Sequence, residues 1–322
     1  MGISPRVRSP NLTMSLPSRV QIVEVGPRDG LQTEPEFIPT SAKIELVNAL
    51  SGTGLAKIEV TSFVHPRTVP QLRDAREVLS GIEKKSGVTY SVLIPNLRGA
   101  EMALEVGVDE MRIPVCTSET FNQKNVRMSI AESLQAIAGI QKLSESDGTP
   151  LEVGVALAFG CPFEGEISTE QVTSIVGRLR DMGVTRMSIT DPAGIANPVQ
   201  VKDRISTLLA TFPEVEFSLH LHDTRGMALS SILAALEAGL ATFDSSIGGL
   251  GGCPFVPDAT GNVVTEDLVN MLEEMGIQTG VDLEKLIECS ELAEKLVGHP
   301  LVSRILRAGT RQQLFQDHSP HP

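Results

Sequence analysis

The chain has 322 residues, which is enough for one large domain or two ordinary ones, and hydrophobic residues make up 41% of it. The net charge is −13, and the chain lacks the concentrated basic surface that a nucleic-acid partner requires. No apolar run approaches the roughly 20 residues of a membrane span, and the four cysteines form no C-x-x-C pair. We therefore expect a globular protein without a nucleic-acid or membrane partner, with the cytoplasm as its default location.

The first nineteen residues contain arginines and serines but no acidic residue, a composition that organelle presequences share. Three prolines (Pro5, Pro10 and Pro17) oppose the amphipathic helix that a presequence needs. We predict a disordered tail over residues 1–19, with Met14 as an alternative start.

From Val20 onward, a short apolar run, a polar loop and a helical stretch alternate repeatedly. The predicted strands cover residues 20–25, 57–60, 89–93, 110–115, 153–158, 184–189, 216–221 and 241–246. Predicted helices between and after them include residues 41–51, 129–143, 169–182, 198–209 and 227–238. Strands that alternate with helices form a parallel sheet of right-handed βαβ units.

Eight such units predict an α/β protein, a (β/α)8 TIM barrel over residues 20–300 that includes an extra C-terminal helix at 282–297. An open doubly wound sheet is the alternative, but no G-x-G-x-x-G follows the first strand. We predict that residues 301–322 form a C-terminal tail.

His220 and His222 lie at the end of the seventh predicted strand, where their side chains point to the same face. A TIM barrel performs its chemistry at the carboxyl ends of its strands, and Asp29 follows the first strand at that same end. Two imidazoles and a carboxylate suit Mg²⁺, Mn²⁺ or another borderline cation. The alternatives are a structural pair of histidines and a turn role for Asp29.

Three further positions have two interpretations each. Arg28 either stabilises an anion or pairs with a neighbouring acid such as Glu24 or Glu59. Asn262 either offers its amide oxygen to a cation or caps the helix that follows it. Cys253, on the glycine-rich loop at 247–254, is either an acid or base or a small buried hydrophobic residue. Cys161 lies in a similar Gly-Cys-Pro-Phe context, so the sequence alone does not choose between the two cysteines.

The chain resembles 3-hydroxy-3-methylglutaryl-CoA lyase, one of the metal-dependent TIM-barrel lyases of the DRE type, from about Val20 to Ile287. The motifs that carry the resemblance are residues 23–32, 61–64, 160–165, 220–224, 249–254, 261–262 and 265–269. The loop around Cys253 is the most specific to the lyases, whereas His-x-His is shared by the wider superfamily. The resemblance implies a retro-Claisen cleavage of 3-hydroxy-3-methylglutaryl-CoA to acetyl-CoA and acetoacetate, and a homodimer.

The resemblance also implies a role for individual residues. A divalent cation, Mg²⁺ or Mn²⁺, is implied to bind a set of four side chains, namely Asp29, His220, His222 and Asn262. The implied catalytic residues are Asp29 itself, Arg28 as the cation that stabilises the enolate, Glu59 as a supporting carboxylate and Cys253 as the acid/base on the loop. Gln32 and Arg28 are implied to contact the acyl-CoA substrate.

The chain departs from the family pattern beside the expected pocket, at residues 113–116, at Asp191-Pro192 and at residues 225–227. Arg225 is an additional cation that either binds a carboxylate of the substrate or is a surface arginine at the start of a helix. The first interpretation favours a shorter substrate such as citramalyl-CoA. A condensing synthase and a non-catalytic binding barrel are less favoured alternatives.

Overall fold

The computed structural model describes residues 16–252 and 261–317, which fold into a closed barrel of eight parallel strands paired in chain order. The strands are Gln21–Glu24 (β1), Lys57–Ser62 (β2), Thr89–Leu93 (β3), Glu110–Cys116 (β4), Leu151–Ala156 (β5), Arg186–Asp191 (β6), Glu216–Leu221 (β7) and Thr242–Ser245 (β8). The pairing of β1 with β8 closes the sheet. The predicted (β/α)8 barrel is confirmed.

At least one α-helix follows every strand in the described parts of the chain. The helices are Thr40–Ser51 (α1), Ala75–Gly81 (α2), Leu97–Glu105 (α3), Glu119–Val126 (α4), Ile130–Asp147 (α5), Thr169–Asp181 (α6), Pro198–Thr211 (α7), Ala228–Glu237 (α8), Thr265–Glu274 (α9), Leu283–Val297 (α10), Arg304–Ala308 (α11) and Arg311–Asp317 (α12). The extra C-terminal helix of the prediction is α10, which packs against α1. None of the helices described here has the length and apolar character needed to cross a membrane.

The helix ends follow local sequence signals. Ser168 and Gln171 form a capping box at the start of α6, and Asn197 caps α7 in front of a proline at its first turn. Asp282 caps α10, so this helix begins one residue later than predicted. Gly183 follows α6 with a φ of +90°, a conformation that glycine adopts at little cost.

Charged side chains occupy the interior of the barrel. Lys57 Nζ lies 2.6 Å from Glu110 Oε1 and 3.2 Å from Glu152 Oε2, and Arg112 Nη2 lies 2.6 Å from Asp244 Oδ2. The strands β2 and β5, and likewise β4 and β8, are not neighbours, so these contacts pass through the interior. Barrel interiors are usually filled by branched aliphatic side chains. Here the aliphatic core lies mainly between the strands and the helices.

The predicted tail at 301–322 needs correction, because its first part is folded. Leu301 is buried, and the backbone N–H groups of Arg304 and Ile305 donate to the Asp267 carboxylate on α9. Two short helices, α11 and α12, occupy this segment as far as residue 317. Most of the predicted N-terminal tail, residues 1–15, lies outside the described residues.

Candidate active site

The turn after β1 brings Arg28 and Asp29 to the mouth of the barrel. Residues Gly26–Gly30 form one turn of π-helix, in which the N–H groups of Arg28 and Asp29 donate to the carbonyl of Val25 at 3.1 and 2.7 Å. Such single turns occur frequently at functional sites. Asp29 is therefore fixed within five residues of the end of the strand.

The two histidines face Asp29 across the mouth of the barrel. Nε2 of His220 lies 4.0 Å and Nε2 of His222 lies 3.6 Å from Asp29 Oδ2. One ligand atom from each of these three residues lies within 4.8 Å of the others. Atoms bound to one cation at about 2.1 Å lie about 3–4 Å apart, so the three side chains need little movement to share an ion.

Asn262 completes this cluster. Its backbone pairs with His222 in an isolated bridge, and its Nδ2 donates to Asp29 Oδ2 at 2.8 Å and to the carbonyl of Leu250 at 3.2 Å. Its Oδ1 is buried and has no hydrogen-bond partner. The capping residue of α9 is Val264, so the alternative role of Asn262 as a helix cap is not observed. An orphaned amide oxygen beside a carboxylate and two imidazoles fits a divalent cation.

Arg28, Gln32 and Glu59 surround the other side of Asp29. Arg28 Nη1 forms an ion pair with Asp29 Oδ1 and lies 3.9 Å from Glu59 Oε2, while Gln32 Nε2 donates to Asp29 Oδ1 at 2.7 Å. Burial opposes ionisation of Asp29, but Arg28 and the two imidazoles hold its pKa well below the ordinary value. Burial raises the pKa of Glu59, and Arg28 counteracts part of that rise. Of the two acids that the sequence offered as partners of Arg28, Glu59 approaches it, whereas no contact with Glu24 is observed among the described residues.

A cavity of about 1100 Å³ opens above this cluster. Its wall combines the charged groups of Arg28, Glu59 and His220 with apolar side chains such as Leu93 and Phe121. This volume reaches the upper end of the usual range for ligand sites. The cavity can take a ligand with both a polar head and an extended apolar arm.

The glycine-rich loop covers one side of the cluster. Gly251 has a φ of +118°, and a Cβ there would lie 2.7 Å from Asn262 Nδ2 and 3.3 Å from the carbonyl oxygen of Asp29. Only glycine fits this position without displacing Asn262. Cys253 lies outside the described residues, so its role stays a prediction. Cys161 is buried, and its thiol donates to Ser118 Oγ at 3.0 Å.

Arg225 lies apart from the cluster. Its side chain is exposed, and Nη1 donates to the carbonyls of Ala193 and Gly194 at 3.1 and 3.0 Å. Arg225 is not among the described residues that line the cavity. This position agrees with the surface interpretation more closely than with a substrate contact, and the substrate role stays a prediction.

Sequence reasoning assigned no role to two charged residues beneath the site, Arg112 and Asp244. Asp244 Oδ2 lies 3.2 Å from His220 Nδ1 and 2.6 Å from Arg112 Nη2. Burial would raise the pKa of Asp244, but Arg112 and His220 lower it to about 2. Burial also lowers the pKa of His220, and Asp244 and Asp29 raise it by more. The available sequence signal was a charged residue at inward positions of β4 and β8.

Comparison with known proteins agrees with this geometry. Residues 19–293 match the HMGL-like family. The chain is 46% identical over 294 residues to hydroxymethylglutaryl-CoA lyase YngG of Bacillus subtilis, covering 91% of this chain and 98% of that protein. It is 44% identical to the mitochondrial hydroxymethylglutaryl-CoA lyase of Homo sapiens, covering 91% and 90%.

A solved HMG-CoA lyase from Acinetobacter baumannii, in complex with coenzyme A and 3-methylmalate, superposes with a TM-score of 0.89. That chain is 44% identical, and the match covers 95% of this chain and 98% of that one. The resemblance predicted from the sequence motifs is confirmed. The chain therefore belongs to the HMGL-like family.

Proposed function

We propose that the protein cleaves 3-hydroxy-3-methylglutaryl-CoA into acetyl-CoA and acetoacetate in a metal-dependent retro-Claisen reaction. The observation that carries this proposal is the convergence of Asp29, His220 and His222 beside Arg28, next to one large cavity that Arg28 and both histidines line. The names of the relatives support the reaction, and the coenzyme A bound to the Acinetobacter baumannii protein supports an acyl-CoA substrate.

The proposed ligands of the cation are Asp29, His220, His222 and Asn262, with Asn262 offering its orphaned Oδ1. Two oxygen and two nitrogen donors suit Mg²⁺ or Mn²⁺. When bound, a divalent cation lowers the pKa of an alcohol oxygen that it ligates, as it does for water.

The residues around the cavity fit the charges that the cleavage creates. The C3 hydroxyl gives its proton to the proposed acid/base, Cys253, and becomes the ketone of acetoacetate, while the electron pair of the C2–C3 bond moves onto the thioester oxygen as an enolate. The Arg28 guanidinium, whose buried Nε has no hydrogen-bond partner, is available to stabilise that oxyanion. Glu59 orients Arg28, and Gln32 contacts the substrate from the same side.

Protonation of the enolate carbon completes acetyl-CoA. We assign this proton transfer to Cys253, because a thiol exchanges protons at near-neutral pH and the loop that bears it passes over Asn262 at Gly251. A loop that closes there also keeps water from the enolate.

Mass spectrometry of the products tests the proposal. Purified protein treated with a chelator and then given Mg²⁺ or Mn²⁺ should release acetyl-CoA and acetoacetate from 3-hydroxy-3-methylglutaryl-CoA. His222→Asn should abolish this release, whereas the matched variant His65→Asn should not, because His65 lies outside the cavity wall and its Nδ1 accepts a bond from the backbone of Arg67. Turnover that persists without any divalent cation would refute the proposed mechanism.

The same assay with a panel of 3-hydroxyacyl-CoA thioesters resolves the choice of substrate. The departures from the family pattern at Ile113, Pro114 and Pro192 line the cavity. Release of pyruvate with acetyl-CoA would identify citramalyl-CoA as the substrate instead. An unchanged substrate preference in Arg225→Ala would count against a role for Arg225.

We also propose that the protein works as a homodimer, as the family resemblance implies, and that it is located in the cytoplasm, the default expected from its sequence. Light scattering of the purified protein tests the dimer, and imaging of a tagged full-length chain in its native cell tests the location.

A further inference from the structure

A chain of charge-assisted contacts connects the proposed metal site to the interior of the barrel. His220 on β7 pairs in register with Asp244 on β8. The same carboxylate oxygen of Asp244, Oδ2, accepts contacts from His220 Nδ1 at 3.2 Å and Arg112 Nη2 at 2.6 Å. Arg112 is itself anchored to β5, because its Nε donates to Glu152 Oε1 at 2.8 Å.

We propose that Arg112 and Asp244 are positioning residues that hold the His220 ring with Nε2 directed at the cation. This inference rests on the proposed function, since it concerns a side chain of the proposed metal set. A carboxylate can only accept hydrogen bonds, so its partner on the ring, Nδ1, carries a proton. When the ring is otherwise neutral, Nε2 carries the lone pair that binds a cation.

Arg112 fixes the orientation of the Asp244 carboxylate, which in turn holds the His220 ring. Its guanidinium is planar and forked, so bonds to Glu152 and Asp244 together restrict the direction of each carboxylate. The side chains of Arg112 and Asp244 are 9% and 1% exposed, so water does not compete for these bonds. Arg112 on β4 thereby influences His220, the proposed metal ligand on β7, from across the barrel.

A direct role for Arg112 in binding a substrate carboxylate is less consistent with its surroundings. Besides Glu152 and Asp244, Glu59 Oε2 lies 3.7 Å from Arg112 Nη1. Three carboxylates around one guanidinium leave no surplus positive charge for an anionic ligand. Both Arg28 and Arg112 line the cavity, and Arg28 is the more exposed of the two, at 13% against 9%.

Lys57 provides a matched control for the loss of a buried cation. Its side chain is 10% exposed, close to the 9% of Arg112, and it also contacts Glu152. Its contacts are with Glu110 and Glu152 and do not include Asp244. Replacing Lys57 therefore disturbs the same interior charges without removing a contact of Asp244 or His220.

The test measures Mn²⁺ binding to the full chain in the absence of substrate, by electron paramagnetic resonance of the free ion. We expect the dissociation constant for Mn²⁺ to rise about 10- to 100-fold in Asp244→Asn and in Arg112→Met. The double variant, Arg112→Met with Asp244→Asn, should bind Mn²⁺ about as weakly as whichever single variant binds it less tightly. The reason is that both substitutions release the same imidazole ring, that of His220. Lys57→Met should stay within about twofold of wild type.

Two results would overturn the inference. One is an unchanged dissociation constant for Mn²⁺ in folded Asp244→Asn. This variant is nearly isosteric with wild type, so it tests the inference even if Arg112→Met does not fold. The other is equal weakening by Lys57→Met, which would indicate a general effect of interior charge. If wild type itself binds no Mn²⁺, the proposed metal set fails, which is a separate outcome.

Discussion

Glu24 is a buried carboxyl group whose protonation should contribute to the pH dependence of stability. Its Oε1 accepts hydrogen bonds from the backbone N–H groups of Gly26 at 2.6 Å and Ile247 at 2.9 Å, and its Oε2 lies 2.7 Å from Thr265 Oγ1. Thr265 Oγ1 also lies 2.9 Å from Ser245 Oγ. A protonated Glu24 can donate to Thr265, which leaves the single hydroxyl hydrogen of Thr265 for Ser245.

Burial raises the pKa of Glu24 from 4.5 to about 8 in the folded protein, against the opposing effect of its hydrogen bonds. Between these values the folded state keeps a proton that the unfolded state releases. The free energy of unfolding therefore falls as pH rises from 4.5 to about 8 and is constant with respect to this group outside that window. At 1.36 kcal/mol per pH unit, the decrease amounts to roughly 3 kcal/mol by pH 7.

Glu24→Gln should remove this dependence, because an amide does not titrate and can reproduce the bonds of the protonated acid. Its oxygen accepts from Gly26 and Ile247, and its nitrogen donates to Thr265. We expect the variant to match wild type in free energy of unfolding near pH 4.5 and to exceed it by roughly 3 kcal/mol at pH 7.

Urea unfolding followed by circular dichroism from pH 4.5 to 8.5 measures this difference, since the chain has no Trp for fluorescence. The control is Glu132→Gln, which alters an exposed capping carboxylate whose pKa is lowered by its bonds to Ser129, so its titration lies below the window. Parallel stability curves for Glu24→Gln and wild type across the window would refute the reasoning.

Three further predictions concern the site. Arg28→Met should reduce kcat by about 10²–10³-fold while Mn²⁺ still binds, because the guanidinium is proposed to stabilise the enolate. Steady-state kinetics and a Mn²⁺ titration of the same variant measure the two effects, and an unchanged kcat would contradict the prediction. Gly251→Ala should reduce kcat by displacing Asn262, since the added Cβ would lie 2.7 Å from Asn262 Nδ2, whereas Gly226→Ala, where a Cβ meets no atom within 4 Å, should leave kcat near wild type. Removal of the cation should lower the melting temperature, and Mn²⁺ at 100 times its dissociation constant should restore about 2.7 kcal/mol of stability; equal melting curves with and without Mn²⁺ would exclude binding to the folded state.

The fold was predictable because hydrophobic periodicity carries most of the information about a barrel of this kind. The strands β3 and β7 have their predicted bounds, and the bounds of the other strands shifted by a few residues. The folded segment after Val297 was not predictable, because α11 and α12 are short and depend on a tertiary contact. The carboxylate of Asp267 holds the first turn of α11, and no local pattern indicates that contact.

The site was predictable where residues follow strand ends and not where they meet through the interior. Asp29 and His220 could be brought together because parallel strands place their carboxyl ends on one face. Asn262 lies well beyond the end of β8, and only the family resemblance added it to the set. The pair of Arg112 and Asp244 could not be deduced, because it depends on which strands face each other across the closed barrel. Arg225 adjoins the His-x-His motif in sequence, yet its side chain turns to the carbonyls of the β6 loop.

The charge balance of the interior connects the fold to the proposed cation. The described residues of the ion-pair chain through the barrel include five buried carboxylates, those of Asp29, Glu59, Glu110, Glu152 and Asp244. Three buried cations (Arg28, Lys57 and Arg112) and the more exposed Arg186 oppose them. Unpaired charge in a low-dielectric interior is costly, so the surplus of negative charge needs a partner. Without a cation, the raised pKa of His220 supplies part of that compensation. A divalent ion between Asp29 and two neutral imidazoles also compensates that surplus, so the same ion pairs that fill this barrel favour the charge on which the proposed chemistry depends.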